Sequence, residues 1–161
     1  MAYRLDAKRI TRISLLLAVA LVLQYVESLL PYPVPAIPIH IGLANVAVLY
    51  ALKNEGRSAA CIIGVLRALL FALILGRISG LLYSLAGTSL SLLGMCLVFD
   101  RKQVSLFGTS VLGAFLFNIG QLIAGFFIVG SSIFALAPWF GLLSVPCGLL
   151  TALAARYIPK L

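Results

Sequence analysis

The sequence predicts an all-α integral membrane protein, a single domain over residues 1–161 built from six transmembrane helices, with both ends on the inner side. Three observations predict it. Apolar residues make up 63% of the 161 positions and charged residues 10%, against about 25% charged in an ordinary soluble domain. Apolar runs recur along the whole length, most of them close to the ~20 residues a spanning helix needs. Lys and Arg number 12 against 4 Asp and Glu, and every basic residue but Arg67 falls between the runs or at the ends. A mean hydropathy of +1.16 excludes a soluble globular enzyme and a disordered chain. It leaves no length for a separate nucleotide-binding or catalytic domain.

The first span is expected over 13–30. The basic stretch before it, Met1–Arg12, has the charge of a secretory leader. However, the run is long enough to span, carries Glu27 and leads into prolines rather than a small-residue cleavage site. Pro31–Pro38 holds four prolines in eight residues. Proline removes a backbone donor and breaks helices, so this is a stiff extended loop, well placed to act as a lid. The second run, 42–52, is short enough to be a half-helix. Further spans follow over 58–75, 81–99, 104–129 and 133–155, the last interrupted by Pro138 and Pro146. Polar or glycine-containing turns separate them.

Alternating the spans from an inner N-terminus places Arg4, Lys8, Arg9, Arg12, Lys53, Arg57, Arg101, Lys102, Arg156 and Lys160 on the inner side, and only Arg77 on the outer. Cytoplasmic loops carry such an excess of Lys and Arg. The asymmetry supports an even number of spans and a multi-pass protein of the cytoplasmic membrane, in contact with anionic lipid rather than nucleic acid.

Polar side chains inside spans are costly and mark function. Arg67 lies nine residues into its span, about 14 Å from the inner face, and Glu27 fourteen residues into the first, about 21 Å. A long arginine reaches that far, so a Glu27–Arg67 pair is expected. Asn118 and Gln121, three apart, share one helix face; Asn45, His40 and Arg77 fall at the outer side. Convergence of these groups in the outer half, above a nearly aliphatic inner half, predicts an outward-facing ligand pocket rather than a channel, which needs polar lining throughout. The aromatic residues also favour the outer half, mostly as an interfacial belt. Glycines at 87, 94, 108, 113, 120 and 125 mark close helix contacts.

Other chemistry is missing from the sequence. No phosphate-binding Gly-x-x-x-x-Gly-Lys-Ser/Thr loop occurs. The two aspartates, Asp6 and Asp100, fall on inner segments and form no magnesium-diphosphate cluster. There is one His, and Cys61, Cys96 and Cys147 show no metal spacing; they are expected as free thiols. The chain is expected to be no enzyme, with no metal and no intrinsic cofactor.

Tyr25–Ser28 before the proline loop, Ile41–Asn45, Leu66–Leu70, Ser84–Gly87 with Ser91, and Asn118–Leu122 together resemble the small bacterial membrane family called Gx transporter proteins, also named heptaprenyl diphosphate synthase component I. The resemblance covers about 13–155. That family is similar to the substrate-binding S components of energy-coupling-factor (ECF) transporters. The resemblance implies a six-helix bundle holding a small ligand in its outer half, with a flavin as the first ligand. It also implies docking through small residues of the first helix, here Ser14 and Ala18, on a transmembrane coupling subunit driven by ATPases in other chains. Glu27, His40, Asn45, Arg67, Arg77, Asn118 and Gln121 would then contact or orient the ligand. Two positions depart from the family pattern: Phe117 stands where a His is usual, and Gly87-Thr88 where a Gly-Gly pair is usual. The second family name suggests instead a non-catalytic partner of a polyprenyl diphosphate synthase. A structural subunit of a membrane electron-transfer complex is the third reading.

Overall fold

The computed structural model describes residues 6–29, 42–76, 78–101 and 103–159. The proline loop, His40 and Arg77 lie outside the described residues. Among the described residues six α-helices follow in order: α1 (Ala7–Ser28), α2 (Asn45–Asn54), α3 (Arg57–Leu75), α4 (Ile78–Val98), α5 (Leu106–Val129) and α6 (Ala137–Tyr157). A short 3₁₀ helix (Ser131–Leu136) leads into α6. No strand occurs among the described residues.

Five of these elements are long and apolar enough to cross a bilayer: α1, α3, α4, α5, and the 3₁₀ helix continued by α6. The expected second crossing is different. α2 has 10 residues, about 15 Å, or half of a ~30 Å hydrocarbon core. Every residue from Asn45 to Leu52 is buried, as a helix apolar on all sides must be. α2 contacts α1, α3 and α6, and most of its length belongs to the main apolar core, with Leu16, Ile63, Leu92 and Ala152. The outer surface is apolar as well: Leu73 is 77% exposed, Phe127 80% and Leu142 69%. A soluble protein avoids such a surface over an area this large; hydrocarbon is its natural solvent.

Polar contacts fix the direction of each helix. Arg9 Nη2 donates to the Glu55 carbonyl at 2.9 Å, and Arg12 Nη1 to Glu55 Oε1 at 3.2 Å. The Tyr50 hydroxyl donates to the Pro159 carbonyl at 2.9 Å, and Arg57 pairs with Asp100. The beginning of α1, the end of α2, the α2–α3 turn, the end of α4 and the end of α6 therefore share one end of the bundle. That charged end is the one the basic asymmetry assigns to the inner side.

The α4–α5 contact is the most extensive helix pair, and glycine permits it. A Cβ on Gly120 would lie 2.4 Å from the Ala86 carbonyl oxygen and 2.7 Å from Gly87 Cα, so only a residue without a side chain fits between these backbones. Pro138 sits in the first turn of α6, where its missing N–H costs no helix bond. Pro146 lies inside α6 and removes one rung without ending the helix.

Candidate functional site

Polar side chains sit inside the bundle, away from its lipid-facing surface. Gln24 and Glu27 of α1, Asn45 of α2, Arg67 of α3, Ser84, Thr88 and Ser91 of α4, Asn118 and Gln121 of α5, and Ser144 and Thr151 of α6 are all buried. Helical spacing explains the grouping. Residues 24 and 27, and 84, 88 and 91, recur at three or four positions and so share one face of their helices. Glu27, Asn45, Arg67, Asn118 and Gln121 are all buried, and the hydrogen-bond partners of Glu27 and Arg67 are not each other.

Glu27 is 1% exposed and accepts two backbone bonds, from Gly42 N–H at 2.7 Å and Leu43 N–H at 3.1 Å. These donors precede α2, in the turn where the Gly42 carbonyl accepts from Asn45 N–H at 2.9 Å. Gly42 has φ +97°, a conformation natural to glycine alone. The carboxylate therefore supplies the anion that the positive end of a half-helix attracts. Arg67 does not form a direct ion pair with Glu27 among the described residues. Its Nη2 donates to Thr88 Oγ1 at 2.8 Å, while the Glu27 charge acts on it through space. One buried cation and one buried anion balance within the cluster, so neither is left as an uncompensated charge in the membrane.

Asn118 is fully engaged with α6. Its Nδ2 donates to the Phe140 carbonyl at 3.1 Å and to Ser144 Oγ at 2.9 Å. Its Oδ1 lies 3.4 Å from Gln121 Nε2. Ser110 Oγ adds a bond to the Gly148 carbonyl at 2.7 Å. These bonds join α5 to α6 on both sides of Pro146.

Among the described residues, four buried polar atoms have no hydrogen-bond partner: Gln24 Oε1, Arg67 Nε, Ser84 Oγ and Ser91 Oγ. Leaving a buried donor or acceptor unpaired costs about 1–3 kcal/mol, and native proteins keep few such groups. Arg67 Nε is a donor, Gln24 Oε1 an acceptor and the two hydroxyls either. A small void of about 10 Å³ is lined by Asn45, Ser91, Ser110 and Thr151 among others; that is the size of one water.

Sequence reasoning named Glu27, His40, Asn45, Arg67, Arg77, Asn118 and Gln121 as site residues. It did not assign Gln24, Ser84, Thr88 or Ser91 a place in the site, although the 84/88/91 spacing carried the signal. Both departures from the family pattern fall here. Thr88 is the hydrogen-bond partner of Arg67, and Phe117, 1% exposed, packs against Gly87, where a Cβ would come within 2.9 Å of its ring. Ser14 and Ala18 are exposed on the outward side of α1. The three cysteines are free. No group of three or more metal-ligating His, Cys, Asp or Glu occurs among the described residues.

A family model described as heptaprenyl diphosphate synthase component I matches residues 16–158. No curated protein and no solved structure matches the chain.

Proposed function

The chain belongs to the heptaprenyl diphosphate synthase component I family, and from that premise we propose that it is the substrate-binding membrane subunit of an ECF-type transporter in the bacterial cytoplasmic membrane. The observation that carries the reading is the set of unpaired polar atoms on α1, α3 and α4 inside an otherwise apolar bundle. In hydrocarbon such groups persist where a ligand completes them. Arg67, Gln24, Ser84 and Ser91 supply the hydrogen bonds. Asn45 borders the cluster at the head of α2. Glu27 holds the half-helix in register, and Asn118 with Gln121 holds the α5–α6 wall.

A flavin is the first ligand to test, because its ring carries both carbonyl and N–H groups and an apolar body. Movement of the ligand draws on a transmembrane coupling subunit and ATPases in other chains, with Ser14 and Ala18 as the docking face on α1. Flavin fluorescence titrated with the purified protein tests binding. The reading expects saturable quenching that Arg67→Ala abolishes while the helical circular dichroism stays that of the wild type. Quenching unchanged in Arg67→Ala removes Arg67 from the site.

The family's name favours a second reading, a non-catalytic membrane partner of a polyprenyl diphosphate synthase. Asp100 is at the charged end, and so is Asp6, just before α1. A magnesium-diphosphate site would therefore have to come from another subunit. Retention of a prenyl diphosphate through purification, with no response to flavins, favours this reading over transport.

A further inference from the structure

A groove of about 400 Å³ runs between α3 and α4 on the lipid-facing side of the bundle, apart from the buried polar cluster. Cys61, Val65, Leu92, Leu93 and Cys96 form its walls, and Arg57 stands at its mouth. From Arg57 to Val65 the groove follows α3 for about 12 Å, close to the ~15 Å depth of one leaflet of the hydrocarbon core. It opens toward lipid: Leu93 is 62% exposed and Val65 40%. Such a space fits an extended hydrocarbon chain entering from one surface.

The mouth is cationic. Arg57 begins α3, so the positive end of the helix dipole adds to its charge. Its bond to Asp100 is made through Nη2 alone, leaving other N–H groups of the guanidinium fork for a second acceptor. Arg101 follows Asp100 in the chain and is exposed, and the single Asp100 carboxylate balances one of the two arginine charges. We propose that this groove binds one acyl chain of an anionic phospholipid from the leaflet at the charged end, with the lipid phosphate held by Arg57 and Arg101. An apolar channel of leaflet depth beneath an arginine pair matches both parts of that molecule. The proposal is independent of the ligand assigned to the buried cluster.

Native mass spectrometry of the detergent-purified chain, titrated separately with dioleoyl phosphatidylglycerol and dioleoyl phosphatidylcholine, tests it. The expected result is one saturable phosphatidylglycerol adduct, preferred over phosphatidylcholine and weakened roughly fivefold for each arginine in Arg57→Gln and Arg101→Gln. Ser89 lines the groove and is exposed, so Ser89→Trp fills it without entering the core and should weaken both lipids. Ser89→Leu repeats that test with a smaller side chain, and thermal melts confirm that each variant is folded. Equal retention of the two lipids by the wild type overturns the proposal. So does a phosphatidylglycerol preference that survives the arginine and Ser89 substitutions. Displacement of phosphatidylglycerol by lower concentrations of farnesyl diphosphate overturns the phospholipid as occupant.

Discussion

Removing the charge of Glu27 should destabilise the bundle, and removing Arg67 with it should recover part of the loss. Glu27 accepts from Gly42 and Leu43 N–H at 2.7 and 3.1 Å while 1% exposed. Hydrogen bonds to a charged group contribute about 1.5–3 kcal/mol each. Glu27→Gln keeps one acceptor oxygen but turns an amide donor toward the other N–H, and it leaves Arg67 uncompensated. Breaking a buried charge balance from one side costs about 3–5 kcal/mol, so a loss of that order is expected. Arg67→Met should cost somewhat less, because Glu27 retains its backbone donors. The double variant should then be at least ~1 kcal/mol more stable than the sum of the single effects. Equilibrium unfolding in mixed micelles, followed by circular dichroism, supplies the three numbers. Additivity within about 0.5 kcal/mol would refute the reasoning and show that the two charges are balanced by other groups.

Other substitutions should separate packing from polar effects. Thr88→Val removes the acceptor of Arg67 Nη2 and should cost about 1–3 kcal/mol in the same unfolding assay. Gly120→Ala places a Cβ against the α4 backbone and should cost about 1–3 kcal/mol or more, read as a lowered melting temperature. Asn118→Leu unties α5 from Phe140 and Ser144. It should destabilise the chain by about 1–3 kcal/mol, and flavin affinity should fall less than in Arg67→Ala. Asp100→Asn serves as a control: the Arg57–Asp100 side chains are 54% and 67% exposed, and an ion pair so open to solvent contributes about 0–1 kcal/mol.

The long helices were legible because span length and apolar content fix them directly. The depths of Glu27 and Arg67 could be counted at a fixed rise per residue. α2 was ambiguous for a physical reason. A short apolar run preceded by prolines satisfies both a crossing that starts within the loop and a buried half-helix, and only the surrounding helices decide. The partners of Glu27 were not legible, since the backbone N–H groups of Gly42 and Leu43 leave no mark in side-chain chemistry. Opposite charges at similar depth suggested a direct pair, yet the half-helix N-terminus competes for the carboxylate and Thr88 for the guanidinium. Asn118 and Gln121 were correctly placed on one face of α5, but sequence could not tell that α6 presents a carbonyl and Ser144 to it. Ser84 and Ser91 entered only through the family resemblance and were given no place in the site, because small hydroxyl residues are common in membrane helices, where they often bond their own backbone.

The most direct test of the central claim is native mass spectrometry of the protein as purified, with absorbance recorded at flavin wavelengths on the same sample. The account predicts a small molecule retained at one per chain, carrying flavin absorbance, in the wild type and lost in a folded Arg67→Ala variant. A wild-type protein that emerges folded and empty, and that takes up no flavin when flavin is supplied, would contradict it.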